Sequence, residues 1–312
     1  MLKVAVAQMA PVLLDRDGGI AKVVQWIGDA AVQGCQLVVF GEALVPGYPF
    51  WLDLTAASRF DDDLQKDIFA AYADAAVTIE HGHLAPVCAV AARHGIAVVL
   101  GIIERPTDRS GHSLYCSAVT INADGQIASV HRKLMPTYEE RLAWSPGDGH
   151  GLVVHPLHGF TLGSLNCWEN WMPLARAALY AQGEDCHVAL WPGNRRNTEA
   201  LTPVLAQEGR SFVISVSGVL SRADVPAGHV VSAMLDRAPE VIADGGSCIA
   251  NPDGSWLIPP APAGEALLVA TLDPREVRRA RQNFDPAGHY SRPDVTQLTV
   301  NRQRQTTARF VD

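Results

Sequence analysis

Residues 2–40 read LKVAVAQMAPVLLDRDGGIAKVVQWIGDAAVQGCQLVVF. Leu2–Met9 is a short apolar, β-branched run, the segment around Ile20–Val32 spaces its apolar residues as a helix does, and Gln36–Phe40 is again a short apolar run. Strand, helix and strand in that order predict a layered α/β fold. The rhythm continues with a helix at Val87–His94 and a strand at Ile96–Ile103. Further strands are expected at Leu152–His155, Phe160–Asn166, His187–Trp191, Phe212–Val219 and Leu267–Leu272, with helices at Trp171–Ala181 and near Leu201–Ser211. Asn122-Ala123-Asp124-Gly125 and Asn251-Pro252-Asp253-Gly254 place turn residues between alternating runs and read as hairpins, so the sheet is expected to be mixed.

Outward from that pattern, 48% hydrophobic and 19% charged residues describe an ordinary globular chain. The Gly and Pro clusters at Pro46–Pro49, Pro146–Gly151 and Pro259–Gly264 are short and flanked by element patterns, so they read as loops and residues 1–312 as one domain. A net charge of −8, with basic residues in scattered groups such as Arg195-Arg196 and Arg278-Arg279, argues against nucleic acid and anionic membrane as partners. The first apolar run stops at Pro11, too short for a signal or a membrane span. Cys35, Cys88, Cys116, Cys167, Cys186 and Cys248 form no C-x-x-C pair, which points to reduced thiols and a cytoplasmic protein.

Three segments place a reactive side chain at the end of an apolar strand pattern, where α/β folds display their sites. They are FGEALVPGYP at 40–49, HRKLMPT at 131–137 and LNCWENW at 165–171, carrying Glu42, Lys133 and Cys167. A carboxylate can take the proton of a thiol, and a fixed ammonium can stabilise the charge that develops on the attacked group. Taken singly the residues say less: a lone cysteine after a strand is usually a packed small hydrophobe, Glu42 could cap a loop, and Lys133 could belong to a solvated basic run.

Taken together these segments resemble the nitrilase superfamily, and within it the true nitrilases. The resemblance spans nearly the whole chain, through FGEALVPGYPFW, HRKLMPTYEER, NCWENWMPLAR and DPAGHYSRPD in the order the family has them. It implies that Glu42 is the general base, Lys133 the lysine and Cys167 the nucleophile, with Glu140, immediately before Arg141, as the family's second glutamate. It further implies a four-layer αββα sandwich with mixed sheets, no metal, no organic cofactor, a small-molecule nitrile as substrate and a homodimer or higher homo-oligomer. The expected product is the carboxylic acid with ammonia, through a thioimidate and a thioester on Cys167. The backbone N–H of Trp168, on an expected tight turn after the strand, is a candidate donor to the reacting group.

Proximity to these motifs makes Tyr48, Trp51, Trp144, Trp168 and Trp171 candidate walls of the substrate pocket, with a lean toward aromatic-bearing nitriles. His289 and Tyr290 are assigned to structural or subunit packing. The short stretch after GHYSRPD favours a dimer or small oligomer over a long filament. His81-Gly82-His83, His155-Pro156-Leu157-His158 and Cys186-His187 lack the spacing of a zinc site, Gly147–Gly151 is not a phosphate loop, and no G-x-S-x-G elbow occurs. Two other readings stay open: an amidase or carbamoyl-amide hydrolase of the same superfamily, and a non-catalytic interaction protein with the same fold.

Overall fold

Side-chain alternation along the first strand divides the molecule into layers. Leu2, Val4 and Val6 point into one apolar core, while Ala5, Ala7 and Met9 point into another. The computed structural model describes residues 1–308 and Val311. In its first half β1 (Leu2–Gln8), α1 (Arg16–Val32), β2 (Leu37–Phe40), α2 (Trp51–Leu54), α3 (Asp63–Ala75), α4 (Ala85–His94), β3 (Ala97–Glu104), β4 (Tyr115–Ile121) and β5 (Ile127–Arg132) follow one another. The second half contains β6 (His155–Leu157), β7 (Phe160–Asn166), α5 (Pro173–Tyr180), β8 (Cys186–Trp191), α6 (Arg195–Gly209), β9 (Phe212–Ser217), β10 (Val219–Ser221), β11 (Val241–Asp244), β12 (Cys248–Ala250), β13 (Trp256–Ile258), β14 (Ala266–Leu272) and α7 (Pro274–Arg281).

One six-stranded sheet has the order β14-β1-β2-β3-β4-β5 and the other β13-β12-β9-β8-β7-β6. In each, three parallel strands form the centre, β1-β2-β3 and β7-β8-β9, and antiparallel strands flank them. The sheets face one another across Val4, Val6, Val39 and Val99 from the first and Leu162, Val188, Leu190 and Ile214 from the second. α1 and α4 cover the outer face of the first sheet through Val23, Ile27, Val87 and Val90, and α5 and α6 cover that of the second through Leu179, Leu201 and Leu205. The result is the expected αββα sandwich with mixed sheets.

Both hairpins form where turn chemistry puts them. Asn122 and Gly125 close β4 onto β5, and Gly125 is required there: its φ is +82° and a Cβ would stand 2.4 Å from the Cys88 carbonyl oxygen. The second joins β12 to β13. Other boundaries differ from expectation for identifiable reasons. The strand expected at Leu152–His155 starts only at His155, because Asp148 accepts from the His150 N–H and winds residues 149–151 into a 3-10 turn, leaving Leu152 to pack among Leu165 and Leu179. α5 starts at Pro173 rather than Trp171, since the preceding residues form their own turn and proline suits the first helical position. α6 begins six residues before Leu201, at Arg195, because its polar first turn has no apolar periodicity to reveal it. The strand expected over Phe212–Val219 divides after Ser217, where the Gly218 N–H turns to the Trp191 carbonyl and β10 leaves to pair with β11.

Candidate active site

Glu42, Lys133 and Cys167 each follow a strand by one or two residues: β2, β5 and β7 respectively. Two come from one sheet and the third from the other, so the sandwich itself brings them together. The Glu42 turn lies directly on β3. A Cβ at Gly101 would stand 2.1 Å from the Gly41 oxygen and 2.7 Å from the Glu42 Cα, so only glycine lets this backbone approach. The Glu42 N–H donates to the Trp191 carbonyl at the end of β8 (3.2 Å), which ties the turn to the second sheet.

Lys133 is almost completely buried, and its Nζ lies between two carboxylates, 2.9 Å from Glu42 Oε1 and 2.7 Å from Glu140 Oε2. Burial alone would lower its pKa, but Glu42 and the other acidic groups around it hold it well above the ordinary lysine value, so the ammonium persists. Glu140 is itself fixed by the Tyr48 hydroxyl at 2.8 Å and the Thr137 N–H at 2.6 Å. The Glu42 Oε1 also accepts from the Cys116 thiol at 3.4 Å, whereas its Oε2 is buried without a protein partner. Desolvation raises the Glu42 carboxyl to about 7 against the opposing pull of Lys133.

Cys167 sits at a φ of +43°, a left-handed conformation that costs a non-glycine residue on the order of 1 kcal/mol. It begins a 3-10 turn over Cys167–Trp171 ahead of α5, the tight turn expected there. Its carbonyl accepts from the Asn170 side-chain amide at 2.8 Å, and His187 donates to Asn170 Oδ1 at 2.7 Å, so the strained turn is held from below. The Cys167 sulfur and oxygens of Glu42 and Glu140 lie within 4.8 Å of one another. Such a cluster has the donors for a cation, and the Lys133 ammonium occupies that role. Burial, then the Glu42 charge, push the Cys167 thiol well above its ordinary range, while Lys133 and the Trp168 N–H pull the other way. The resting sulfur is therefore a neutral thiol.

A cavity of about 630 Å³ opens over Cys167 and Glu140. Of the aromatic residues named from the sequence, Tyr48 and Trp168 line it. Trp51, Trp144 and Trp171 do not. Trp51 packs edge-on against Tyr72 in the core, Trp144 lies beneath the Lys133 ammonium with its ring centre 5.4 Å away, and Trp171 is half exposed outside the opening. His289 and Tyr290 also lie away from the lining, Tyr290 against Phe284. Phe50, Tyr138, Asn194, Asn197 and Ile242 contribute walls that the sequence reading did not name. The strand-end rule could have found Asn194, three residues past β8; Ile242 comes from β11, which carries no strong pattern.

The carbon-nitrogen hydrolase family model matches residues 3–282. An aliphatic nitrilase of Rhodococcus rhodochrous is 36% identical, over 98% of this chain and 84% of its own. An aliphatic nitrilase of Sinorhizobium fredii is 36% identical over 96% of both chains, and a bifunctional nitrilase/nitrile hydratase of Oryza sativa is 36% identical over 99% of this chain and 86% of its own. Among solved structures, an amidase from Nesterenkonia sp. AN1 superposes with a TM-score of 0.66 at 17% identity, covering 91% of this chain and 98% of that one, a likeness of fold.

Proposed function

Because the chain belongs to the carbon-nitrogen hydrolase family, on its nitrilase branch, we propose that it hydrolyses an organic nitrile to the carboxylic acid and ammonia through covalent intermediates on Cys167. The observation that carries this reading is the buried Lys133 ammonium clamped between Glu42 and Glu140 beside the Cys167 sulfur. A thiol, a base and a fixed cation are what addition to a carbon–nitrogen multiple bond requires.

Glu42 Oε1 is held by Lys133 and Cys116, which leaves Oε2 to accept the thiol proton. As that proton leaves, the sulfur bonds to the nitrile carbon and one carbon–nitrogen π pair moves to nitrogen, which takes the same proton back from Glu42 to give a thioimidate and leave the carboxylate ionised again. Lys133 stabilises the charge building on nitrogen, and the Trp168 N–H lies beside the sulfur. Water then adds to the thioimidate carbon while Glu42 takes its proton. The carbon–nitrogen bond breaks with proton return from Glu42, ammonia leaves, and a thioester remains. A second water, activated in the same way, adds to the thioester; the carbon–sulfur bond breaks, releasing the acid and restoring the thiol. Glu140 keeps Lys133 in place and Tyr48 keeps Glu140 in place.

Tyr48, Phe50 and Trp168 in the cavity wall favour a nitrile bearing a flat apolar group. Residues 1–312 are read as one catalytic unit, and a homodimer as its assembly, the commonest closed form of a soluble oligomer. Among the described residues no helix is long and apolar enough to cross a membrane. Six free thiols, five of them buried, support a reducing, cytoplasmic location.

A panel of aliphatic, aromatic and arylacetonitriles with their matching amides, assayed for ammonia and for product identity, tests the reading. Acid and ammonia from nitriles are expected; turnover of amides alone would move the protein to an amidase activity, and silence on both would leave a non-catalytic scaffold.

A further inference from the structure

A buried glutamate outside the constellation used above joins the two sheets at the site. Glu169 is 1% exposed and lies two residues after Cys167. Its Oε1 accepts the Leu134 N–H at 2.6 Å, its Oε2 accepts the Asn166 N–H at 2.9 Å, and His131 Nε2 lies 3.1 Å from both oxygens. Leu134 and His131 flank Lys133 on the end of β5, and Asn166 directly precedes Cys167 at the end of β7. One side chain therefore spans the lysine segment of the first sheet and the nucleophile segment of the second.

We propose that Glu169 is a positioning residue that sets the separation of Lys133 and Cys167 across the two sheets. This rests on the reading of those residues as the charge stabiliser and the nucleophile. The geometry supports a clamp over simple filling of space. Both carboxylate oxygens are occupied by backbone donors on opposite sides of the site, so the side chain cannot shift toward one segment without losing the other. Burial would raise the Glu169 carboxyl, but His131 and the two backbone donors hold it below the usual carboxylate range, so it acts as an anion with donors on every side. An amide in its place would aim an NH₂ group at a backbone N–H, and at most one of the two segments could stay bonded. Glu169 touches no reacting atom in this account, and its effect passes through Lys133 and the Cys167 turn.

The test compares wild type with Glu169→Gln, Glu169→Asp and His131→Gln, normalised to active sites by titrating the Cys167 thiol. In Glu169→Gln, kcat on a nitrile falls by about 100-fold, the scale of a misplacement of about 1 Å, while KM changes little. The pH profile of Cys167 alkylation by iodoacetamide shifts upward as the ammonium loses its place, and Glu169→Asp, which keeps the charge, recovers part of both losses. A purely structural glutamate would lower yield and melting temperature with turnover per titrated thiol and alkylation profile unchanged, and that result overturns the proposal. If Glu169→Gln fails to fold, Glu169→Asp and His131→Gln decide by the same two readouts. Wild type inactive on every nitrile would remove the nitrile reading but not this one, since the alkylation profiles still distinguish clamp from filler.

Discussion

At the scale of single residues, the chemistry depends on protons being held away from their ordinary positions. In the proposed mechanism the Glu42 carboxyl, raised to about 7 by burial, must be ionised to take the thiol proton. Activity as kcat/KM is therefore expected to rise with pH through an acid limb near 7, and a limb near the free carboxylate range would contradict that placement. The Cys116 thiol bonds Glu42 Oε1 and lowers the same carboxyl, and its carbonyl accepts the Lys133 N–H at 2.7 Å. Cys116→Ala removes only the first of these contacts, so the acid limb should move to higher pH while the fold and its melting temperature stay nearly the same. An unmoved limb would mean the thiol contact carries no weight. Loss of the proposed nucleophile is a larger effect: Cys167→Ala should lower kcat by at least about 1,000-fold, as removal of a covalent catalytic group does in other hydrolases.

At the scale of elements, the site depends on a backbone approach that a single methyl group would block. Gly101→Ala places a Cβ against the Gly41 oxygen and the Glu42 Cα, and overpacking of this kind costs about 1–3 kcal/mol. Thermal unfolding should show a melting temperature lower by several degrees, together with turnover reduced per folded molecule; a variant as stable and active as wild type would show that the turn has room. This glycine illustrates what sequence could and could not reveal. The strands that end just before Glu42, Lys133 and Cys167 are legible from their strand patterns, and the hairpins because asparagine, aspartate and glycine have local turn chemistry. Gly101 lies in the middle of an apolar run, where its role depends on a turn sixty residues away in the chain. The aromatic wall was only partly legible for the same reason. Tyr48 and Trp168 face the cavity, but Trp51 and Trp144 turn into the core by rotations that no local pattern encodes. The Asn170–His187 support below Cys167, where Glu184 Oε1 lies 2.8 Å from the other ring nitrogen of His187, and the Glu169 clamp also join residues from separate elements.

At the scale of the whole molecule, the segment 301–305 returns to the loop behind the site. Asp148 accepts from Arg304 at 3.0 Å, the Gln305 N–H at 2.9 Å and the His150 N–H at 3.0 Å, while Gln305 donates to the Gly147 carbonyl and the Gly147 N–H to that of Lys133. Burial would raise the Asp148 carboxyl, but the backbone donors of Gln305 and His150, with Arg304, hold it below its ordinary value. A carboxyl depressed in the folded state contributes stability above its unfolded pKa and loses it as pH falls through the folded one. The melting temperature of wild type should therefore drop more steeply on the acid side than that of Asp148→Asn, and parallel curves would show that the Asp148 contacts with residues 304 and 305 contribute nothing. In assembly, light scattering should report a dimer or a small closed oligomer, and long filaments would refute that. Whether Cys167 carries the acyl group is read by intact-protein mass spectrometry and peptide mapping after acid quench of a reacting nitrile. One added mass equal to the acyl group less the thiol hydrogen is expected, located after digestion on the peptide containing Cys167 and absent from Cys167→Ala; turnover that proceeds with no adduct and survives that substitution rules out an acyl-enzyme on this cysteine.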